Sequence, residues 1–492
     1  MSLVSFRFFA LTGVAVLVYY LLPLKYRWTA ILASSLFFYY SLGSSALIPV
    51  ICISVFSYIM GLVIEKSDES RKRKTLISIA VIVLLSILAL VKLSGHFSTL
   101  SQYIIVPTGI SYFSLSIIAY LLDVYWKKEK AERSPLRFLT FVLYFPKILQ
   151  GPISRHKLLG EQLKEGKRFD WEQLCFGMQL VLWGLFKKIV IADRLSIAVS
   201  NVYSQLDTYR EHGVVLAAAM IFSALQLYMD FSGYTDMAVG ISQMFGIELE
   251  QNFNHPFFAE SAAGFWQRWH MTLSGWFKDY LFLPVSRTEA VKKLSKKAGN
   301  RFGAAARKKT MMICSTAVVW IATGLWHGTG INYIVWGIYW GSLMIISQLA
   351  EGLFTKMKTA LSIKEEAALW KLFRMFRTFL IFVFGKMISA QENMKNVAII
   401  LKSLFTKLHP GDVKMIAGLG MYGYDFAIVA LGLILVLIVS VIQEKGVCIR
   451  EQTAKWYAVP RWLFYCLAVT VILLIGLYGK GYDTSTFAYQ FF

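Results

Sequence analysis

Residues 310–328 read Thr-Met-Met-Ile-Cys-Ser-Thr-Ala-Val-Val-Trp-Ile-Ala-Thr-Gly-Leu-Trp-His-Gly. No carboxylate, lysine or arginine interrupts the run, and it ends on an imidazole, His327, between Gly324 and Gly328. As a helix, Thr310 to His327 rises roughly 25 Å at 1.5 Å per residue, close to the ~30 Å of a hydrocarbon core. The stretch therefore predicts a membrane span whose far end carries a titratable group. Ionisable groups at membrane depth are costly and tend to face a cavity where transport or chemistry takes place.

The rest of the chain extends this reading. Of 492 residues, 57% are hydrophobic and only 16% charged, against roughly 25% charged in a soluble domain. Apolar runs recur near 5–23, 28–43, 46–65, 75–94, 104–125, 174–199, 214–235, 310–328, 332–350, 375–390, 424–443 and 461–479. They predict an all-α polytopic protein of about twelve spans, formed as one body over 1–492, with core motifs at 104–350 and C-terminal helices at 371–492. The first run reads as a retained span, since no small-residue cleavage site follows it. The five cysteines are scattered, with no CxxC pair, and no HExxH occurs. Neither a disulfide framework nor a metal site is expected.

The net charge of +22 points to basic cytoplasmic loops rather than to nucleic acid. Arg71-Lys72-Arg73-Lys74, the cations of 127–137, and the stretch 287–309 (nine Lys or Arg against Glu289) all satisfy an inside location if the spans alternate and both termini lie outside. The last stretch leaves room for a cytoplasmic partner. Residues 391–423 fall outside in this scheme yet carry four lysines, and their amphipathic stretch Val397 to Leu408 is expected to lie flat on the outer surface. Two apolar segments are too short or too charged to cross. Phe138 to Leu149 contains Pro146 and Lys147, and Phe265 to Leu283 contains Arg268, His270, Lys278 and Asp279. Both are expected to be re-entrant or interfacial. In the second, Trp266, Trp269, Leu273 and Trp276 recur at helical spacing, giving one apolar helix face.

The chemistry-bearing candidates follow from this frame. A neutral imidazole at His327 suits removal of a proton from an attacking hydroxyl; a buried histidine capping backbone carbonyls would have the same sequence. Trp326 precedes it, and Asn332 lies five residues on, within reach of it or of a substrate. His270, near Arg268 and Lys278, suggests a cationic site for an anionic cofactor; an interfacial helix with snorkelling cations is the simpler account of the same residues. Asp230 and Asp236 lie in one apolar run, where acids need partners. They orient a histidine, bind nearby basic groups, or brace the helices by hydrogen bonds.

Taken together, several motifs resemble the membrane-bound O-acyltransferase (MBOAT) family. They are Gln150-Gly151-Pro152-Ile153-Ser154-Arg155, Asp230-Phe231-Ser232-Gly233-Tyr234-Thr235-Asp236-Met237-Ala238, Asn252-Phe253-Asn254-His255-Pro256-Phe257, Phe265-Trp266-Gln267-Arg268-Trp269-His270, Leu273-Ser274-Gly275-Trp276-Phe277-Lys278-Asp279-Tyr280-Leu281 and Gly324-Leu325-Trp326-His327-Gly328, with an aromatic tail at Phe487-Ala488-Tyr489-Gln490-Phe491. The branch that these residues resemble acetylates bacterial polysaccharides such as alginate, and the membrane protein of teichoic acid D-alanylation is a near relative.

The resemblance implies a ring of tilted helices, with two re-entrant segments, around a central tunnel. It implies His327 as the catalytic histidine and His270 as the second family histidine. It implies a cytoplasmic thioester donor, acetyl-CoA or an acyl carrier protein, with no tightly bound cofactor. The acceptor would be an extracytoplasmic polysaccharide or an esterase-like partner protein, and the location the plasma or inner membrane. Two rivals stand beside this reading. One keeps the mechanism and moves D-alanine from a carrier protein to teichoic acid. The other is a transporter of lipid-linked glycan that uses the histidines as proton relays.

Overall fold

The computed structural model describes residues 4–95 and 105–478; the aromatic tail at 487–491 lies outside them. Each of the twelve apolar runs contains a helix. In chain order the main helices are α1 (Phe6–Leu21), α2 (Arg27–Leu42), α3 (Ser44–Lys66), α4 (Ser70–Ser94), α5 (Ile110–Tyr125), α6 (Pro135–Leu143), α7 (His156–Glu165), α8 (Trp171–Leu185), α9 (Asp193–Ser204) and α10 (Gly213–Met244). They continue as α11 (Ala262–Arg268), α12 (Met271–Phe277), α13 (Glu289–Phe302), α14 (Ala304–His327), α15 (Ile331–Leu349), α16 (Glu351–Ala360), α17 (Ala368–Ala390), α18 (Met394–Thr406), α19 (Gly423–Glu444) and α20 (Ala458–Ile475). Among the described residues no strand forms, and Phe253 and Trp269 make one isolated antiparallel bridge.

Among the described residues, seven helices are long and apolar enough to cross a membrane: α3, α4, the run Trp171–Ser204 that joins α8 to α9, α10, α14, α19 and α20. An eighth is reached if α15 and α16, bent by 60° at their junction, form one span. The expected twelve are therefore twelve helices of unequal reach. At 16 residues each, α1, α2 and α5 fall short of the ~20 that a perpendicular crossing needs. Lys371, Arg374, Arg377 and Lys386 load α17 with charge.

The described residues form two compact units, one within 1–190, 229–251 and 446–492, the other within 191–228 and 252–445. In the first, α8 meets the second half of α10 through paired glycines. A Cβ on Gly184 would lie 2.4 Å from the Gly233 carbonyl oxygen, and one on Gly177 2.5 Å from that of Gly240. Small residues seven apart on both helices thus allow backbone contact, the usual device where no hydrophobic drive exists between helices in lipid. Just beyond, Phe186–Ala192 winds as π-helix. The short candidate at 138–149 is α6, opened by the Ser134 cap and Pro135, followed by a turn. Apart from the half-buried Leu139, residues 138–154 are buried. Ser35 Oγ accepts from the Phe145 amide at 3.2 Å, and the Pro146 carbonyl accepts from the Tyr234 hydroxyl at 3.3 Å.

In the second unit, α14 and α15 form a hairpin. Gly324 and Gly337 let them touch: a Cβ on Gly324 would meet the Tyr333 carbonyl oxygen at 2.6 Å. The long basic stretch before α14 is helix rather than loop. Thr288 caps α13 and Glu289 pairs with Lys292 at 2.9 Å. The amphipathic stretch at 397–408 is α18, whose Val397 and Ile400 are buried while Phe405 stays exposed. Its end is tied in by the Gly213 amide, which donates to the Lys407 carbonyl at 2.9 Å. A buried ion pair, Arg194 to Asp425 at 3.0 Å, joins α9 to α19.

Candidate active site

His327 is the last residue of α14, followed by an extended Gly328. It is 4% exposed. Its ring stands edge-on to two indoles, Trp326 at 4.8 Å and Trp336 at 4.7 Å between centroids. Trp336 belongs to α15, so the imidazole is held across the α14–α15 hairpin.

His270 is 1% exposed and sits in the left-handed region, with φ 44°. This breaks the helix expected over 265–283 into α11 and α12, with Trp269 and His270 between them. The apolar residues at helical spacing remain buried or half-buried, but on two short helices rather than on one face. The break is held by residues 252–254. Phe253 bridges to Trp269, the Met271 amide donates to the Asn252 carbonyl at 2.9 Å, and the Asn254 amide donates to the Arg268 carbonyl at 3.0 Å.

The side chain of Asn252 then sets the tautomer of His270. Its Oδ1 accepts from the Thr272 amide at 3.3 Å and from the Thr272 hydroxyl at 2.6 Å, and lies 3.3 Å from Nδ1 of His270. A backbone N–H can only donate, so the atom it meets is oxygen. Nδ1 of His270 is therefore the protonated nitrogen, and Nε2 carries the lone pair. Burial pushes this imidazole down to about 3, so it stays neutral at physiological pH. The His270 ring lies 6.3 Å from Trp326. The two histidines thus border one indole.

The other candidates divide. Trp326 belongs to the histidine cluster. Asn332 is buried, and its Nδ2 donates to the Gln391 carbonyl at 2.8 Å, tying the start of α15 to the end of α17. Arg268 is paired with Glu444 and also donates to the Asn254 carbonyl at 3.3 Å. Lys278 is exposed. Asp230 and Asp236 lie in the first unit, where each has a lysine: Lys188 to Asp230 at 2.7 Å and Lys187 to Asp236 at 2.6 Å. Two of the roles weighed for these acids meet here: each binds a nearby basic group, and the buried Lys188–Asp230 hydrogen bond braces the packed helices. Lys187 and Lys188 escaped notice in the sequence, although two adjacent cations inside an apolar run were the available signal. Asn252 stood within a recognised motif, but nothing in the linear order connects it with His270. Among the described residues no group of three or more His, Cys, Asp or Glu side chains converges as a metal site would.

Comparison with known proteins fits this architecture. The MBOAT, membrane-bound O-acyltransferase family matches residues 35–390. A probable alginate O-acetylase of Pseudomonas syringae is 30% identical over 391 residues, covering 76% of this chain and 69% of that protein. A peptidoglycan O-acetyltransferase of Helicobacter pylori is 29% identical over 387 residues, 68% of this chain and 67% of its own. A teichoic acid D-alanyltransferase of Bacillus subtilis is 28% identical over 240 residues, 48% of this chain and 57% of its own.

Proposed function

This chain belongs to the membrane-bound O-acyltransferase family, and we propose that it moves an acetyl group from cytoplasmic acetyl-CoA to a hydroxyl of an extracytoplasmic polysaccharide, directly or through an esterase-like partner protein. It is a multi-pass membrane acyltransferase, and the reading places it in the inner cell membrane. The observation that carries the site assignment is the pair of buried, ring-contacting imidazoles that share Trp326.

His327 takes the proton of the acceptor hydroxyl as its oxygen adds to the thioester carbonyl carbon, and returns it to the departing thiolate. Its aromatic walls exclude bulk water, which would otherwise hydrolyse the donor. His270, neutral and with Nε2 basic, accepts a hydrogen bond and positions a reactant. Arg268 is engaged by Glu444, so exposed Lys278 is the better candidate for the donor's phosphates. Donor and acceptor would meet in the family's tunnel.

The D-alanyl alternative is supported by a relative that matches a shorter part of this chain, whereas the acetylating relatives match 68% and 76% of it. Reconstituted protein given radiolabelled acetyl-CoA tests the proposal. Label should pass to a glycan or protein acceptor, and His327→Ala should abolish transfer while leaving a stable detergent-solubilised protein. Glycan movement without label transfer would establish the transporter instead, and label from a D-alanyl carrier alone would establish the other acyl group.

A further inference from the structure

Addition of a hydroxyl to a thioester carbonyl places negative charge on the carbonyl oxygen, and that charge needs a fixed donor. The ends of α14 and α17 offer little, because helix C-termini present carbonyl oxygens. The start of α15 offers more. It opens at Gly330 with no side-chain cap, and its first N–H groups form the positive end of a 19-residue helix dipole.

Beside it lies Gln391, the residue after α17. Gln391 is 3% exposed, and among the described residues its Nε2 meets no hydrogen-bond acceptor. A primary amide carries two N–H donors, and a buried donor without an acceptor is unfavourable enough that native structures rarely keep one without a reason. The backbone of Gln391 is fixed. The Gln391 backbone carbonyl accepts from Nδ2 of Asn332 at 2.8 Å. Asn332 shares a face of α15 with Trp336, one turn on, and Trp336 is the ring that meets His327 at 4.7 Å. Because the backbone carbonyl makes the tether, the side-chain amide is left for a ligand.

We propose that the Gln391 side-chain amide, together with the N-terminus of α15, forms the oxyanion site for the thioester carbonyl. The inference rests on His327 as the base. The acceptor O–H adds to the carbonyl carbon, its proton passes to the imidazole, and the carbonyl π electrons move onto oxygen, where Nε2–H of Gln391 donates. Collapse reforms the carbonyl, breaks the C–S bond and returns the proton to the thiolate.

Gln391→Met keeps the volume and removes both donors; Gln391→Glu keeps the shape and offers an anion instead. The backbone tether to Asn332 survives in each. In either variant that elutes as a single species with the wild-type unfolding temperature, kcat should fall by about 10²–10³-fold with KM little changed. Isotope-edited infrared spectra of wild-type protein with bound carbonyl-¹³C acetyl-CoA should show a lowered C=O stretch that Gln391→Met restores. A folded variant with wild-type kcat, or an unshifted stretch in the wild type, overturns the assignment. His327→Ala in the same assay separates the two levels. If it is inactive while Gln391→Met is fully active, only the oxyanion site fails; if it retains transfer, the site reading fails and Gln391 with it.

Discussion

Lys188 and Asp230 in the first unit and His270 and His327 in the second are all withdrawn from water, but they are accommodated in different ways. The lysine and the aspartate face each other across the α8–α10 crossing, charge against charge, with Lys187 and Asp236 alongside. The imidazoles lie among indoles, and His270 is oriented by an amide oxygen rather than a carboxylate. A full charge in a low-dielectric interior must be neutralised, and once neutralised by a salt bridge it is committed to structure. A neutral imidazole can be buried with only its N–H satisfied, which leaves a nitrogen lone pair for chemistry. The same family of motifs thus supplies a brace in one unit and, in the other, the buried imidazole cluster proposed as the reactive site.

That contrast can be broken by mutation. The largest effect on folding is expected at the brace. Lys188→Ala removes the cation paired with the buried Asp230 carboxylate and should cost about 3–5 kcal/mol, read as a lower unfolding temperature in detergent, and the double variant Lys188→Met/Asp230→Leu should recover most of it. A Lys188→Ala protein as stable as wild type would remove the pair from the structural account. Next comes Asn252→Ala, which takes one acceptor from three donors. A loss of about 1–3 kcal/mol is expected, and transfer should fall further than stability does, because His270 loses the contact that sets its tautomer. His270→Ala should impair transfer less than His327→Ala; equal or greater loss at His270 would move the base from one ring to the other. The smallest effect is expected at the half-exposed pair of Arg268 and Glu444. Arg268→Ala should change stability by less than about 1 kcal/mol and leave KM for acetyl-CoA as it was, while Lys278→Ala raises it. A raised KM in Arg268→Ala would return that residue to the donor site.

Hydropathy was enough to predict a helical multi-pass protein and to single out His270 and His327, since apolar runs of span length and ionisable groups within them are local properties of the chain; the acyltransferase reading came from the resemblance of the motifs to the family. The break at Trp269 and His270 could not be read that way. The spacing of Trp266, Trp269, Leu273 and Trp276 suits one helix, and only pairing with residues 252–254, distant in sequence, overrides it. The partners of Asp230 and Asp236 were likewise invisible, because Lys187 and Lys188 reach them by helix crossing and not by sequence neighbourhood.

From the linear chain came the solvent this protein lives in and which imidazoles to examine, and from the resemblance of its motifs to the family came its reaction class. Tertiary structure decided which charges neutralise each other, which nitrogen of His270 bears its proton, and that Gln391 comes within one hydrogen bond of Asn332. The reason is range. Burial preference and helix periodicity act over a few residues, whereas a hydrogen bond or ion pair depends on two side chains arriving within about 3 Å of each other, which only the packed fold determines.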